Sequence, residues 1–326
     1  MRPESRASRA KSGPVRRPAR GQKGERSLGQ KYRARERAWA RHPDLLQTHH
    51  RLIFGDAREM RGLSDDTAVH LVVTSPPYWD LKEYPSSGAA QLGNIHEREI
   101  FLEEVGNVWR RCFDLLVQGG RLCVVVGDVC RSRRAFGRHL VEPLHAQIQL
   151  QCQKIGFDPL APIIWYKIAN AATEVRGNGS TFLGKPYEPN AIVKNDIEFI
   201  LLFRKPGAYR HPTQEQRDLS IISKEDHRRW FQQVWADVPG DLQRQHPAPF
   251  PKEIARRLIG MFSFVGDTVL DPFCGLGTTT AAAMEMHRSS IGFEIERSYF
   301  KAAKQRLGQL SFTATVEFIE GKPKKK

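Results

Sequence analysis

From about residue 50 onward, short apolar runs alternate with segments whose large side chains recur at helical spacing. The runs Val69–Thr74 and Leu122–Val126 are almost entirely apolar, which is typical of strands buried on both faces of a parallel sheet. Residues 98–117 lie between them and predict a helix, which the turn at 118–120 is expected to end. Further strands are predicted at 51–55, 162–166, 197–203, 268–270 and 291–293, and further helices near 139–155, 249–261, 278–286 and 297–307. This alternation predicts an α/β fold built on a doubly wound, mostly parallel sheet.

A glycine loop, DPFCGLGTT, joins one predicted strand to the next helix at residues 271–279. Gly275 and Gly277 let the backbone approach a ligand closely, and the helix that follows begins with free N–H groups. Glu294 ends the next predicted strand, where a carboxylate can accept both hydroxyls of a ribose. NAD, nucleotides and S-adenosylmethionine are all bound by loops of this kind. The loop therefore predicts a nucleotide-like cofactor without identifying it.

A second turn, Ser75-Pro76-Pro77-Tyr78, directly follows the apolar run at 69–74. Its two prolines fix the backbone and remove two N–H donors, so the neighbouring carbonyls are free to accept hydrogen bonds. Ser75 adds a hydroxyl, and Tyr78 and Trp79 add flat faces. Such a turn suits the exocyclic amine of a nucleobase, which must leave the double helix to reach it.

Together, the two motifs resemble those of the amino-methylating DNA methyltransferases, in the permuted β group where the catalytic turn precedes the cofactor loop. The resemblance covers roughly residues 50–310. It is carried by the fragments 74–79, 119–128 (GGRLCVVVGD), 163–167 (IIWYK), 196–205, 246–259 (HPAPFPKEIARRLI), 271–279 and 292–296. The resemblance implies a seven-stranded, circularly permuted sheet of the S-adenosylmethionine-dependent methyltransferase type, with a small insertion.

The resemblance also implies a role for each matching residue. Ser75 and the Pro76 carbonyl would bind the target amine within the turn that Pro77 completes, and Tyr78 would stack on the flipped base. The cofactor would be held by Asp56 at its adenine amine, by Glu294 at its ribose, and by Phe273, Gly275, Gly277 and Thr278 along its methionine part. Asp271 and the helix after His246 would close the pocket. Many relatives carry a lysine four residues after that histidine, whereas Phe250 stands here and Lys252 follows.

The resemblance favours cytosine N4 as the target, because this family usually pairs S-P-P-Y with cytosine N4 and D-P-P-Y with adenine N6. Adenine N6 stays open as an alternative. So do an RNA base, a glutamine amide and a non-catalytic nucleic-acid-binding role. A C5-cytosine methyltransferase is not indicated, because the chain has no Pro-Cys pair to supply the nucleophile.

The net charge of +15 is concentrated at the two ends of the chain. Residues 1–42 contain 14 Lys or Arg against 3 Asp or Glu, the segment 321–326 contains four lysines, and 43–320 is balanced. We therefore predict a disordered basic tail at 1–45 and a basic tail at 313–326, either of which could hold a phosphate backbone. The catalytic half is expected at 46–204 and the cofactor half at 246–312.

An insertion at 205–245 is a candidate target-recognition region and a candidate separate lobe of the protein. Candidate base-reading side chains are Arg210, Gln214, Gln216, Arg217, Arg228 and Arg229 there, and Arg176 and Asn178 in a predicted long loop at 168–195. Surface solvation explains most such residues equally well, so no recognition sequence can be predicted.

The five cysteines form no C-x-x-C pair, which favours reduced core thiols and predicts no metal site. No apolar run is long enough to span a membrane, and no signal peptide is recognisable. We expect a cytoplasmic protein that associates with the nucleoid through double-stranded DNA. It is expected to be a monomer or homodimer, with a cognate restriction endonuclease as a candidate partner.

Overall fold

The computed structural model describes residues 26–81, 91–167, 182–183, 189–240, 251–310 and 314–320. Its first half contains the helices α1 (Leu28–Arg41), α2 (Arg98–Leu115), α3 (Arg133–Phe136) and α4 (Leu144–Ile155), with 3-10 turns at Pro43–Leu46 and Leu92–Asn94. The strands of this half are β1 (His49–Phe54), β2 (Val69–Thr74), β3 (Leu116–Val126), β4 (Val129–Arg131), β5 (Leu140–Glu142) and β6 (Asp158–Tyr166).

The second half of the chain completes the fold. Its strands are β7 (Phe182–Leu183), β8 (Ile192–Val193), β9 (Ile197–Arg204), β10 (Val234–Trp235), β11 (Thr268–Asp271), β12 (Ser289–Glu294) and β13 (Thr315–Glu320). Its helices are α5 (Gln214–Leu219), α6 (Lys224–Trp230), α7 (Lys252–Phe262), α8 (Thr278–Glu285) and α9 (Arg297–Leu310). None of the described helices is both long enough and apolar enough to cross a bilayer.

The central sheet has the strand order β10-β6-β9-β3-β2-β11-β12-β1-β13. Every neighbouring pair is parallel except the two that involve β9, which runs antiparallel to β3 and β6. The described residues thus form an α/β fold with a mostly parallel sheet, as predicted, but with nine strands instead of seven. We call the edge at which β2, β3, β11, β12 and β1 end the carboxyl edge, and the opposite edge the amino edge.

Both faces of the sheet are covered, which explains the near-continuous apolar runs of its central strands. On one face, α2 and α4 pack against the sheet through a buried cluster that includes Phe101, Trp109 and Leu122. On the other face, Leu258 and Ile259 of α7 and Ala282 of α8 pack against β2, β3 and β11. The helix predicted at 98–117 ends two residues earlier than expected, at Leu115. Strand β3 already begins at Leu116 and continues through Gly119, whose φ of 74° accommodates the irregular pairing there.

The prediction of a disordered tail at 1–45 is wrong for the part that the structure describes. Residues 28–41 form α1, which begins with a capping box in which Ser27 and Gln30 each bind the other's backbone N–H. Such a cap contributes about 1 kcal/mol to helix stability. The helix buries Ala34 and Ala38 and packs against α5. Small alanines allow close helix packing, so the shortage of large apolar residues was not evidence of disorder.

The predicted C-terminal tail at 313–326 is likewise wrong for residues 315–320, because β13 pairs in parallel with β1 and adds an edge strand to the sheet. Its alternating sequence TVEFIE fits a half-buried strand. In the predicted insertion, β10 joins the sheet beside β6, and α5 packs on α1. The described part of 205–245 is therefore built onto the sheet and does not form a separate lobe.

Candidate active site

A cavity opens at the carboxyl edge, where four parallel strands end side by side. Its empty volume is about 620 Å³, part of it open to solvent, which is within the range of ligand pockets in proteins. The lining residues come from the ends of β1 and β12, the glycine loop, α9 and the 3-10 turn at Leu92–Asn94. They also come from the turn Ser75-Pro76-Pro77-Tyr78, which we call the catalytic turn for its predicted role. They are Gly55, Asp56, Ala57, Ser75, Pro76, Pro77, Gln91, Leu92, Pro272, Phe273, Gly275, Phe293, Glu294, Ile295 and Tyr299.

The cavity brings together seven of the eleven residues predicted for the site: Asp56, Ser75, Pro76, Pro77, Phe273, Gly275 and Glu294. The other four, Tyr78, Asp271, Gly277 and Thr278, are not among the residues that line the cavity. Sequence reasoning missed Gln91, Leu92 and Tyr299, which also line the cavity. They belong to a 3-10 turn and a helix that carry no recognisable motif. Gly55, in contrast, stands next to Asp56 in the same strand-end run and could have been included.

Asp271 supports the site from behind and does not face the cavity. Its carboxylate is 2% exposed and accepts hydrogen bonds from Thr74 Oγ1 at 2.7 Å, Thr279 Oγ1 at 2.6 Å and the Phe273 backbone N at 3.1 Å. Burial raises its pKa to about 6 despite these three donors. Because Thr74 immediately precedes the catalytic turn, Asp271 joins that turn to the glycine loop and to the start of α8.

Gly277 also supports the site indirectly, through the backbone conformation of the glycine loop. It is the N-cap of α8 in the left-handed conformation, with a φ of 76°, and a Cβ built there would lie 2.9 Å from Leu307 Cδ1. The position therefore requires glycine for the turn and for the approach of α9. Thr278, the next residue, accepts a hydrogen bond from Arg306 of α9.

Glu294 reaches into the cavity with a constrained carboxylate. Its Oε2 accepts from the Gly275 backbone N at 2.9 Å and its Oε1 from the Glu296 backbone N at 2.7 Å. Each oxygen keeps a second lone pair for a ligand hydroxyl. Burial, with the nearby Asp271 and Glu296 adding to it, raises the pKa of Glu294 to about 7.

Asp56 lies at the end of β1 in the same cavity. Its carboxylate is held by Arg58, which binds both oxygens and also pairs with Glu104 of α2. This pairing orients Asp56 before any ligand arrives. Between the two acids, Phe273, Phe293, Leu92 and Ile295 supply an apolar lining.

Tyr78 lies on the far side of the catalytic turn from the cavity, with 9% of its surface exposed. Its ring packs against Gly127, where a Cβ would lie 3.2 Å from Tyr78 Cε2. Its hydroxyl donates to Glu198 Oε2 at 2.8 Å and accepts from Ser75 Oγ at 3.3 Å. Lys167 Nζ donates to the other oxygen of Glu198 at 2.7 Å. The fragments 163–167 and 196–205 thus meet behind the turn.

The candidate base-reading residues of the insertion lie at the amino edge or are engaged in ion pairs. Arg210 pairs with Asp267, and Gln216 binds the Val265 carbonyl, both just before β11 begins. Arg217 donates to the Pro212 carbonyl, and Arg229 pairs with Asp237. Arg176, Asn178 and His246 lie outside the described residues, and so does Phe250. Lys252 pairs with Glu285 and does not line the cavity.

The cavity fits a cofactor that combines a ribose with an aromatic base that carries an amine. Glu294 offers acceptors for ribose hydroxyls, and Asp56 offers acceptors for an amine. The apolar lining between them suits a flat ring. S-adenosylmethionine has all these groups.

Comparison with known proteins also indicates a DNA methyltransferase. The family model for N6/N4 DNA methylases matches residues 69–305. The Type II methyltransferase M.MjaI of Methanocaldococcus jannaschii is 39% identical over 307 residues, covering 84% of this chain and 97% of its own length. M.MthZI, a Type II methyltransferase of Methanothermobacter thermautotrophicus, is 33% identical over 81% of this chain and 78% of its own.

A solved structure extends the comparison to the fold and the cofactor. TTHA0409 of Thermus thermophilus, a candidate DNA modification methylase crystallised with S-adenosyl-L-methionine, superimposes with a TM-score of 0.70. It is 50% identical in sequence, over 84% of this chain and 99% of the other. The family model, the relatives and this structure together show that the chain belongs to the S-adenosylmethionine-dependent DNA methyltransferases of the N4/N6 amino-methylating family.

Proposed function

We propose that this enzyme methylates the N4 amino group of cytosine at specific sites in duplex DNA, after the base has flipped out of the helix. The observation that carries the proposal is the position of Ser75. Its neutral hydroxyl lies in the same cavity as Glu294 and Phe273, which supports a role in holding the target amine next to the cofactor. In this family a serine at the first position of the turn usually accompanies cytosine N4.

The residues of the cavity divide into two groups. Glu294 would bind the ribose hydroxyls, Asp56 the adenine amine, and Phe273 and Gly275 the methionine part of the cofactor. Gly277 and Thr278 would shape the loop from behind, and Asp271 would hold the loop against the catalytic turn. When bound, S-adenosylmethionine supplies a methyl group activated by a positively charged sulfonium.

At the other end of the cavity, the catalytic turn would hold the target base. Ser75 Oγ and the Pro76 carbonyl would accept the two amine protons, which favours sp³ character at nitrogen and directs its lone pair toward the methyl group. Pro77 would keep that carbonyl from rotating away. Positioning and electrostatics, without a covalent intermediate, would supply most of the rate acceleration.

Tyr78 would contribute a face for the flipped base, although its ring is mostly buried without DNA. Glu198 and Gly127 determine where that ring lies. The stacking therefore depends on the exposed edge of the ring or on a shift of the turn when DNA binds. With 2-aminopurine at the target position, fluorescence that rises further in Tyr78→Ala than in the wild type would support stacking of Tyr78 on the flipped base, because an aromatic neighbour quenches this fluorophore.

The target is tested by mass spectrometry of nucleosides from DNA methylated by the purified enzyme. We expect N4-methylcytosine in the wild type and its loss in Ser75→Ala, with cofactor binding retained. N6-methyladenine as the product would contradict the proposal and favour the adenine alternative. Methyl transfer only to RNA or protein would contradict the DNA substrate.

A role in a restriction-modification system is supported by the two relatives described above, both of which are Type II methyltransferases. Single-molecule sequencing of DNA from a host that expresses the enzyme would reveal the modified sequence. We expect a single short motif to be modified at nearly every occurrence. Scattered modification without a motif would contradict site specificity.

A further inference from the structure

A basic arm projects from the carboxyl edge immediately beside the catalytic turn. It consists of residues 129–142, in which β4 and β5 pair as an antiparallel hairpin and α3 forms the tip. The arm leaves β3 at Gly127, against which the Tyr78 ring packs. At its base, Asp128 Oδ1 accepts from the backbone N of His145 and pairs with His145 Nδ1 at 2.7 Å, which holds the two ends of the arm together.

Arg131 attaches the arm to the catalytic turn. Its guanidinium lies 4.2 Å from the centre of the Trp79 ring and pairs with Asp80 at 2.8 Å. The Phe136 ring of the tip lies 5.1 Å from the same guanidinium. Trp79 and Asp80 directly follow Tyr78, so the position of the arm is fixed relative to the site of methyl transfer.

The tip of the arm is positively charged and fully available to a ligand. Residues 132–139 are all exposed, and they include Arg133, Arg134 and Arg138. The arm contains no acidic residue before Glu142. Within the described chain, no carboxylate pairs with any of these three arginines, whereas Arg131, Arg210 and Arg229 all form ion pairs. Phe136 adds an exposed aromatic ring to the same surface, 48% exposed.

The positive charge of the arm lies at the opposite edge of the sheet from the other basic surface of the described residues. A second group of basic residues gathers near the amino edge, where one surface cavity next to Phe264 is lined by Arg26, Lys31, Arg217, Lys224 and Arg228. A duplex whose base enters the cavity must lie across the carboxyl edge. Guanidinium groups that neutralise its phosphates are therefore needed at the carboxyl edge, where the arm presents them.

We propose that the arm 129–142 is a DNA-contacting element, in which Arg133, Arg134 and Arg138 bind phosphates of the strand segment next to the flipped base. This inference rests on the proposed action on duplex DNA. Cations that neutralise phosphates release counterions, so each such contact steepens the salt dependence of DNA binding by about 0.9 in the slope of log K against log salt concentration.

The test compares two full-length variants that lose the same number of positive charges. The arm variant is Arg133→Gln/Arg134→Gln/Arg138→Gln, and the matched control is Arg217→Gln/Lys224→Gln/Arg228→Gln at the amino edge. All six side chains are exposed. Binding of each protein to a short fluorescent duplex of mixed sequence is measured over a range of salt concentrations, and binding of S-adenosylmethionine is measured by calorimetry.

We expect the arm variant to lose about 2 to 3 from the salt slope and about tenfold or more in DNA affinity. Its KM for DNA should rise, its kcat at saturating DNA should stay near the wild-type value, and its cofactor affinity should be unchanged. The control variant should keep most of the wild-type slope. Equal slopes for the arm variant and the wild type, or equal losses in arm and control variants, would overturn the proposal.

A separate measurement keeps this test distinct from that of the proposed function. Methyl transfer by the wild type to long unmethylated linear DNA is followed with labelled cofactor. If the wild type transfers no methyl group to DNA, the proposed function fails regardless of the slopes. If the wild type does methylate DNA and the arm variant behaves as the control variant does, only the role of the arm is refuted.

Discussion

The Tyr78 hydroxyl donates a hydrogen bond to Glu198 Oε2 across 2.8 Å, joining the catalytic turn to a strand two positions away in the sheet. Glu198 is 7% exposed, and Lys167 balances its charge at the other oxygen. A side chain of β9 thus determines the position of an aromatic ring in a turn that follows β2. The antiparallel direction of β9 places Glu198, near the start of that strand, at the carboxyl edge.

We predict that Glu198 positions Tyr78 for methyl transfer. Glu198→Ala and Tyr78→Phe should each lower kcat by about tenfold or more, because small displacements of groups at a reacting centre are costly. The double variant should lose little beyond either single one, since both remove the same contact. Cofactor affinity, measured by calorimetry, should not change. Fully additive losses of the two variants would show that the residues act independently.

Asp271 is predicted to be the main support of the glycine loop. Asp271→Ala leaves two buried threonine hydroxyls and the partly buried Phe273 N–H without their acceptor, and each buried donor costs about 1–3 kcal/mol. The free energy of unfolding in urea should therefore fall by about 3 kcal/mol or more, with a weaker affinity for S-adenosylmethionine. Thr279→Val, which removes one of the donors, is the matched control and should cost about 1 kcal/mol. Equal losses in the free energy of unfolding would show that Asp271 contributes no more than its single contact with Thr279.

The apolar runs predicted the sheet core because a strand buried on both faces tolerates almost no polar residue. Parallel strands end at one edge, so the motifs that follow β1, β2, β11 and β12 meet there, and Asp56, Ser75 and Glu294 line one cavity. Helix α1 and strand β13 escaped prediction because their stability comes from capping and from edge pairing, neither of which needs a long apolar run.

The placement of the insertion could not be predicted for a different reason. The sequence does not show the direction of a strand, and β9 runs opposite to its neighbours. Residues 205–212 therefore leave the sheet at the amino edge, where Arg210 meets Asp267. With a parallel β9 the same residues would have emerged beside the catalytic turn. Tyr299 was missed because nothing in a helical sequence shows which side chain faces a cavity.

Gly277 offers a test of backbone shape without any change of charge. Gly277→Ala places a Cβ at a φ of 76° and 2.9 Å from Leu307 Cδ1, so it should destabilise the fold by about 1–3 kcal/mol and weaken cofactor binding. Gly308→Ala in α9 is the matched control. A Cβ there would meet nothing within 4 Å, so this substitution should be neutral or stabilising by about 0.5–1 kcal/mol. Thermal unfolding and calorimetry measure both effects, and similar stability in the two variants would refute the requirement for glycine at 277.

The raised pKa of Glu294 predicts that cofactor affinity depends on pH. Burial raises this pKa from 4.5 to about 7, so without cofactor the folded protein keeps a proton that the unfolded chain releases. The stability that this proton provides is present below pH 4.5 and is lost as the pH rises toward about 7. Ribose hydroxyls donate best to the ionised carboxylate, so binding should favour loss of the proton.

The dissociation constant for S-adenosylmethionine should therefore fall as the pH rises from about 6 to about 8, by up to about tenfold per pH unit on the acid side. Asp271 and Glu296 face Glu294, and burial raises the pKa of Asp271 to about 6, so the titrations of Asp271 and Glu294 overlap and a Glu294 variant is needed to separate them. Glu294→Gln cannot ionise and should bind more weakly, with no such pH dependence. Calorimetry in buffers of different ionisation enthalpy should also detect proton release in the wild type alone. A flat pH profile in the wild type, or an equal slope in Glu294→Gln, would show that another group controls cofactor binding.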